Sequence, residues 1–148
     1  CGFSKRLRLD VVINLFCYQS FFKKKITVLG GNQIRPILHI KDMIEVYEFI
    51  IKNNIIGTYN VGFENLTIKK IANEISKINK SKIEFKKSND PRSYRMNSEK
   101  IINKGFKPKY NYKDSINDLI YEFKKGFKPS DINWNLKWLL KKKYVINK

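Results

Sequence analysis

Apolar residues recur along most of this chain at the three- and four-residue spacing of an α-helix. This spacing predicts six helices, over residues 10–24, from Asp42 to near Lys52, from Thr67 onwards, from Asn97 or Ser98, from Asp114 or Ser115, and over residues 130–143. Asp10, Asp42 and Thr67 are predicted N-caps, because a short side-chain oxygen there can accept a hydrogen bond from a first-turn amide. Gly105 and Gly126 are predicted to end two of the helices.

Short apolar or alternating runs between these helices predict strands over residues 26–29, 37–40, 58–61 and 82–85. The strand candidates are brief and helical periodicity dominates. The pattern therefore predicts an α/β chain with short strands and about six helices.

The chain is strongly basic, with a net charge of +18. Such a charge suits nucleic acid, an anionic membrane surface or a phosphorylated ligand. However, 26 of the 31 basic residues are lysines, in a sequence also rich in Asn, Ile, Tyr and Phe. Because AT-rich coding produces this mixture, we attribute much of the charge to composition.

Two cysteines, Cys1 and Cys17, have neither the number nor the spacing of a disulfide framework or a zinc site, which favours a reducing compartment. No apolar run approaches the roughly 20 residues that a membrane span needs, and the first residues lack the apolar region of a signal peptide. We therefore expect a cytoplasmic protein with no membrane partner. The chain begins without an initiator Met, which suggests a fragment.

The stretch 30–42, GGNQIRPILHIKD, joins a glycine turn, an arginine, a short apolar run and an acid. It resembles a segment of the extended short-chain dehydrogenases/reductases that act on nucleotide sugars. Other stretches resemble the family in the same order: RLRLDVVIN, TYNVGFENLTIKKIANEI, DPRSYRMNSEKI and KGFKPKYNYKDSINDLI. The resemblance covers about residues 1–125 and leaves 126–148 as a basic C-terminal helical extension.

The resemblance implies the C-terminal, substrate-binding part of an NAD-dependent epimerase or dehydratase. The family's G-x-x-G-x-x-G dinucleotide turn is absent. Tyr121 with Lys125 and Tyr144 with Lys148 match the family's Tyr-x-x-x-Lys, but the family places that motif upstream of RLRLD, so we interpret both as coincidental. NAD (or NADP) is therefore expected on a missing N-terminal Rossmann half, and we assign no catalytic, cofactor-binding or metal residue.

Several further expectations follow from the resemblance. This fragment alone should be inactive. Residues 11–22 and 58–61 should lack packing partners, because the family's downstream half interleaves with the dinucleotide-binding sheet. We leave open whether the full-length protein forms a homodimer.

A nucleoside-diphosphate sugar, the ligand that the resemblance implies, carries two adjacent negative charges. Forked, permanently charged arginines and helix N-terminal amides suit such a group. By resemblance, Arg35 and Arg92 match the arginines that grip the phosphates. The other matching candidates are the helix start at Leu9 and Asp10, the segment beside the nucleobase at Ile26, Thr27 and Val28, and Arg95.

Alternatives remain at two levels. Arg35 and Arg92 could instead form structural ion pairs with Asp42 or Asp90, and His39 with Asp42 could simply brace the strand-to-helix turn.

For the whole chain, the second hypothesis is a basic binding module for nucleic acid or an anionic surface. The charge, Lys124, Lys125 and the lysines at 141–143 support it. No aromatic stacking platform or recognition motif accompanies these lysines, so no specific nucleic acid is expected.

Overall fold

The computed structural model describes residues 1–90 and 92–141, and these form an α/β arrangement of short strands and six α-helices. The first half contains α1 Val12–Lys23, β1 Lys25–Leu29, β2 Ile34–Ile37, α2 Ile40–Lys52 and β3 Glu64–Thr67. The second half contains α3 Ile68–Asn79, β4 Lys82–Lys86, α4 Glu99–Ile102, α5 Tyr112–Lys124 and α6 Asn135–Lys141. The predicted fold class is confirmed.

The strands form two separate pairs. β1 runs parallel to β4 with Lys25 opposite Lys82, and β2 runs antiparallel to β3 with Ile34 opposite Thr67. A parallel pair requires a long connection. Here that connection includes both strands of the second pair, α2 and α3.

Helices α1, α3 and α5 enclose the main core around β1. Ile13 of α1, Ile26 of β1, Ile75 of α3 and Leu119 of α5 are all fully buried in it. A smaller apolar cluster of Val46, Ile101 and Phe106 lies under α2. The expectation that residues 11–22 lack packing partners is therefore wrong, because Ile13, Phe16 and Cys17 of α1 are buried in this core.

Four predicted helix starts were displaced. The helix predicted from residue 130 is a 3-10 turn over Asp131–Asn133 followed by α6 from Asn135. α1 begins after Val11, and Asp10 instead pairs with Arg8 at 2.5 Å. α2 begins two residues before Asp42, because His39 caps it: the His39 Nδ1 accepts the Lys41 N–H at 3.1 Å. α5 is capped by Asn111, and Asp114, the third residue of the helix, completes the capping box. The cap predicted at Thr67 is confirmed.

Two predicted strands were wrong in part. β2 covers Ile34–Ile37 rather than 37–40, since Ile40 already belongs to α2. Residues 58–61 form no ladder, because no strand lies beside them in the described part of the chain. The strands predicted over 26–29 and 82–85 are present as β1 and β4.

The C-terminal segment is anchored to the start of the chain. The Asn133 side chain donates to the Leu7 carbonyl at 2.8 Å, and the Leu9 N–H donates to the Asn133 carbonyl at 2.7 Å. Residues 142–148, including Tyr144, Lys148 and two lysines of the 141–143 run, lie outside the described residues. Among the described helices, none is long and apolar enough to span a membrane.

Candidate functional site

A cleft of about 420 Å³ opens between α1, β1 and the loop after β4. Its apolar wall consists of Val12, Leu15, Phe16, Leu29 and Ile68. Its polar lining consists of Asp10, Gln19, Thr27, Gln33, Arg35, Ser88 and Asp90. Apolar walls with a few convergent polar groups are typical of sites for small molecules.

Arg35 is held at this cleft by three contacts. Its Nη1 donates to the Ile34 carbonyl at 2.9 Å and to the Arg92 carbonyl at 2.6 Å. Its Cζ lies 5.1 Å from the centre of the Tyr94 ring, a cation–π distance. Only 17% of the side chain is exposed. The guanidinium is therefore fixed in position and partly shielded from water.

Asp90 brings the two predicted phosphate-binding arginines together. Arg92 Nε and Nη2 donate to the two Asp90 carboxylate oxygens at 2.7 and 2.8 Å. Arg35 Nη2 lies 3.6 Å from the same carboxylate. The hydrogen bonds from Arg92 lower the pKa of Asp90 to about 2. Both arginines thus pair with Asp90, as the alternative interpretation of structural ion pairs allowed.

The alternative partner for these arginines, Asp42, is ruled out by its own contacts. Asp42 is fully buried and accepts the backbone N–H groups of Lys109 and Tyr110 at 3.0 and 3.1 Å. It therefore braces α2 against the loop before α5.

The remaining candidates divide into two groups. Asp10 and Thr27 line the cleft. Ile26, Val28 and Leu9 are fully buried in the core, so their side chains do not reach it. The Leu9 amide is also already bonded to Asn133.

Arg95 does not line this cleft and lies at a second depression, which also contains Asn65 and Ser98. Tyr121 lies at a third, with Phe3, Lys41, Asp118 and Glu122. Tyr121 therefore does not line the cleft. Among the described residues, no cluster of His, Cys, Asp and Glu is suited to a metal ion.

Sequence reasoning missed two glutamines of the cleft. Gln19 Oε1 accepts the Thr27 N–H at 3.0 Å and so links α1 to β1. Gln33 Oε1 accepts the Gly31 N–H at 2.7 Å and shapes the glycine turn, where Gly31 has a φ of +130°. Gln19 could have been found, because it continues the helical stripe of Val12 and Leu15 with a polar side chain.

Solved structures of nucleotide-sugar enzymes share this fold. One is dTDP-glucose 4,6-dehydratase from Bacillus anthracis, solved in complex with NAD. It matches with a TM-score of 0.72 and 21% sequence identity, and the match covers 93% of this chain and 45% of that chain. Another is UDP-N-acetylglucosamine 4-epimerase from Bacillus cereus. It matches with a TM-score of 0.71 and 23% sequence identity, and the match covers 89% of this chain and 45% of that chain.

MoeE5, solved with UDP-glucose and NAD, gives a TM-score of 0.69 and 14% identity over 82% of this chain and 44% of that chain. No protein-family model matches the chain. The chain therefore has the fold of part of these enzymes and spans less than half their length. None of these similarities supports the basic binding module.

Proposed function

We propose that this chain is the substrate-binding part of an NAD- or NADP-dependent nucleotide-sugar epimerase or dehydratase. Its ligand would be a nucleoside-diphosphate sugar. The observation that carries the proposal is the apolar cleft at whose edge Arg35 and Arg92 converge on one carboxylate. The fold shared with nucleotide-sugar enzymes supports it.

The diphosphate would bind where Asp90 now lies. Arg35 is partly shielded from water, which strengthens its attraction for an anion. Arg92 is 76% exposed and can follow a ligand as it enters. Planar guanidinium forks match pairs of phosphate oxygens, and a lysine ammonium does not.

The nucleoside would lie along the apolar wall, where Leu15 and Phe16 provide contact area and Thr27 provides a polar group. Asp10 lies at the same cleft and is suited to accept hydrogen bonds from sugar hydroxyls. Leu9, Ile26 and Val28 would contribute by holding the backbone around the ligand, because their side chains face the core.

The glycine turn in the described part of this chain does not fit the pyrophosphate of a dinucleotide cofactor. The turn at Gly30 and Gly31 leads into β2 rather than into a helix, so it cannot present helix N-terminal amides to a pyrophosphate. NAD or NADP would therefore be held by a part of the enzyme outside this chain, and we assign it no residue here.

Calorimetric titration of the chain with UDP-glucose, dTDP-glucose and GDP-mannose tests the proposal. Arg35→Lys should weaken binding about tenfold to a hundredfold, because a charge-assisted hydrogen bond is worth about 1.5–3 kcal/mol. Arg6→Lys is the matched control, since Arg6 donates to Asn135 and stacks on Trp138. The proposal would be contradicted if none of the three nucleotide sugars binds, or if Arg35→Lys binds them with unchanged affinity.

A further inference from the structure

Arg35 keeps unused hydrogen-bonding capacity at the edge of the cleft. A guanidinium carries five N–H donors. Nη1 of Arg35 uses two of them, on the carbonyls of Ile34 and Arg92 at 2.9 and 2.6 Å. Within residues 1–90 and 92–141, Nε and Nη2 donate no hydrogen bond, and Nη2 lies 3.6 Å from the Asp90 carboxylate, beyond hydrogen-bond range. Asp90 therefore partly neutralises Arg35 without satisfying its donors.

The position of Asp90 is set mainly by residues close to it in the sequence. The Asp90 N–H donates to Ser88 Oγ at 3.1 Å, and the Arg92 N–H donates to Asp90 Oδ1 at 3.1 Å. The Arg92 side chain donates to both carboxylate oxygens, but it is 76% exposed. Ion pairs with so exposed a partner contribute little to stability. The carboxylate can therefore move away from Arg35 at little cost in free energy.

The charges at this edge of the cleft do not balance. Arg35 and Arg92 carry two positive charges against the single negative charge of Asp90, and Asp10, the other described acid of the cleft lining, pairs with Arg8. Asp90 is ionised at neutral pH, because the hydrogen bonds from Arg92 hold its pKa at about 2.

The imbalance determines which ligands gain by displacing Asp90. A ligand with one negative charge that replaced Asp90 would only restore the existing balance. A ligand with two negative charges would neutralise both arginines and could also occupy the free donors of Arg35, since guanidinium forks match phosphate oxygens. Displacement of the carboxylate therefore favours ligands with at least two charges.

We propose that Asp90 sets a charge threshold for the cleft. It holds the place of an anion beside Arg35 and Arg92, and ligands with two or more phosphate charges displace it, whereas ligands with one charge or none do not. Specificity of this kind comes from a repulsive group as well as from attractive contacts. The inference rests on the proposed function, which supplies a diphosphate as the ligand, and it makes Asp90 a specificity-determining residue.

Calorimetric titration of the wild type and Asp90→Asn with UDP-glucose and with inorganic pyrophosphate tests the proposal. The asparagine keeps an oxygen that can accept the Arg92 N–H but carries no charge. Both ligands should bind Asp90→Asn about tenfold more tightly, which is the order of one charge-assisted hydrogen bond. If Asp90 served only to hold Arg92 in place, the variant would bind both ligands equally or more weakly than the wild type. That result, or absence of pyrophosphate binding by the variant, would overturn the proposal.

The threshold itself has a separate measurement. Uridine carries no charge, and the methyl ester of uridine 5′-monophosphate carries one. The wild type should bind these two ligands with equal affinity. Asp90→Asn should bind the ester about tenfold more tightly than uridine, because a single charge then suffices to engage the arginines. A wild type that already prefers the ester to uridine would show that no threshold exists.

Glu74→Gln is the matched control, because it makes the same change in net charge. Glu74 pairs with Lys77 on α3 and does not line the cleft. Its affinity for UDP-glucose and pyrophosphate should differ from that of the wild type by less than twofold. A tenfold gain in this control would assign the effect to net charge and overturn the role of Asp90.

A measurement on the wild type does not depend on the folding of any variant. The ¹³C NMR signal of the Asp90 carboxylate should move on saturation with pyrophosphate, because the carboxylate loses its hydrogen bonds from Arg92. An unmoved signal with the ligand bound would overturn the proposal.

Failure of the threshold and failure of the proposed function give different results. Tighter binding of pyrophosphate by Asp90→Asn, with no nucleotide sugar bound by either protein, would contradict only the proposed function. Equal binding of UDP-glucose by both proteins would contradict only the threshold.

Discussion

Asp42 illustrates how a residue can be recognised as structural while its contacts stay hidden in the sequence. An acid at the start of an apolar helix indicates an N-cap, but His39 occupies that position and Asp42 lies in the first turn. Its two oxygens instead satisfy the amides of Lys109 and Tyr110, about 67 residues along the chain. No local pattern predicts such a long-range contact.

Asp42→Ala should destabilise the chain by about 2–4 kcal/mol, because it leaves two partly buried amides without an acceptor, each in the lower part of the range of about 1–3 kcal/mol. Asp42→Asn keeps one acceptor oxygen and should cost about half as much. Urea unfolding measures both values. A cost below about 1 kcal/mol for the alanine variant would show that water replaces the carboxylate.

His39 is the other residue whose role follows from its surroundings. It is 2% exposed, caps α2 through Nδ1 and stacks on Tyr110 with a centroid distance of 4.8 Å. Burial lowers the pKa of His39 below its usual value of about 6.5, although Asp118 acts in the opposite direction. Lys41 and the amino terminus lower the pKa of His39 further.

Stability should therefore fall as the pH drops below about 6.5. A depressed pKa means that the fold favours neutral His39, so the stabilisation is complete above the unfolded pKa and is lost as pH falls through the folded one. His39→Asn retains a capping oxygen but does not titrate. The loss of unfolding free energy between pH 7.5 and 5.5 should be smaller in this variant than in the wild type. An equal loss in both would assign the pH dependence to other groups.

The cleft was predictable in part at the residue scale. Arg35 and Arg92 stood out because only five arginines occur among 31 basic residues, and both converge on Asp90. Of the three consecutive residues assigned to the nucleobase, only Thr27 lines the cleft, because strand side chains alternate. Applying that alternation to β1 would have removed Ile26 and Val28 as side-chain contacts.

At the scale of elements, helices were easier to predict than strands. Helical stripes are local, whereas a strand exists only where a partner pairs with it. Pro36 lies within β2, opposite Asn65, and is tolerated because an edge position does not need its missing N–H. The run over 58–61 has strand-like alternation but no ladder. The strand predicted there is therefore wrong for the described structure.

Helix caps provide a prediction at this scale. α1 has Val11 at its N-cap and no side-chain cap, while α5 has a complete capping box from Asn111 and Asp114. Val11→Asn should stabilise the chain by about 0.5–1 kcal/mol, and Asn111→Ala should destabilise it by about 1 kcal/mol. Urea unfolding of the two variants checks both signs. Destabilisation by Val11→Asn would mean that the valine side chain contributes more through packing than a cap can supply.

At the scale of the whole molecule, net charge is the property most easily over-interpreted. A value of +18 suits nucleic acid, yet the folds that match are those of nucleotide-sugar enzymes. The two functions differ in where the charge acts. Nucleic acid would contact many exposed lysines, whereas a nucleotide sugar would contact one shielded arginine and a few polar groups.

Salt should separate these two kinds of binding. DNA held through six or more lysines should lose affinity about a thousandfold between 50 and 200 mM salt, because each neutralised phosphate releases counterions. UDP-glucose presents only two charges, and Arg35 is shielded, so its affinity should change less than about tenfold. Fluorescence anisotropy with a labelled 20-base-pair duplex and calorimetry with UDP-glucose measure the two dependences. Changing Lys124 and Lys125 to Gln should weaken DNA binding and leave the sugar nucleotide unaffected. DNA binding that resists salt and prefers one sequence would instead favour the basic binding module.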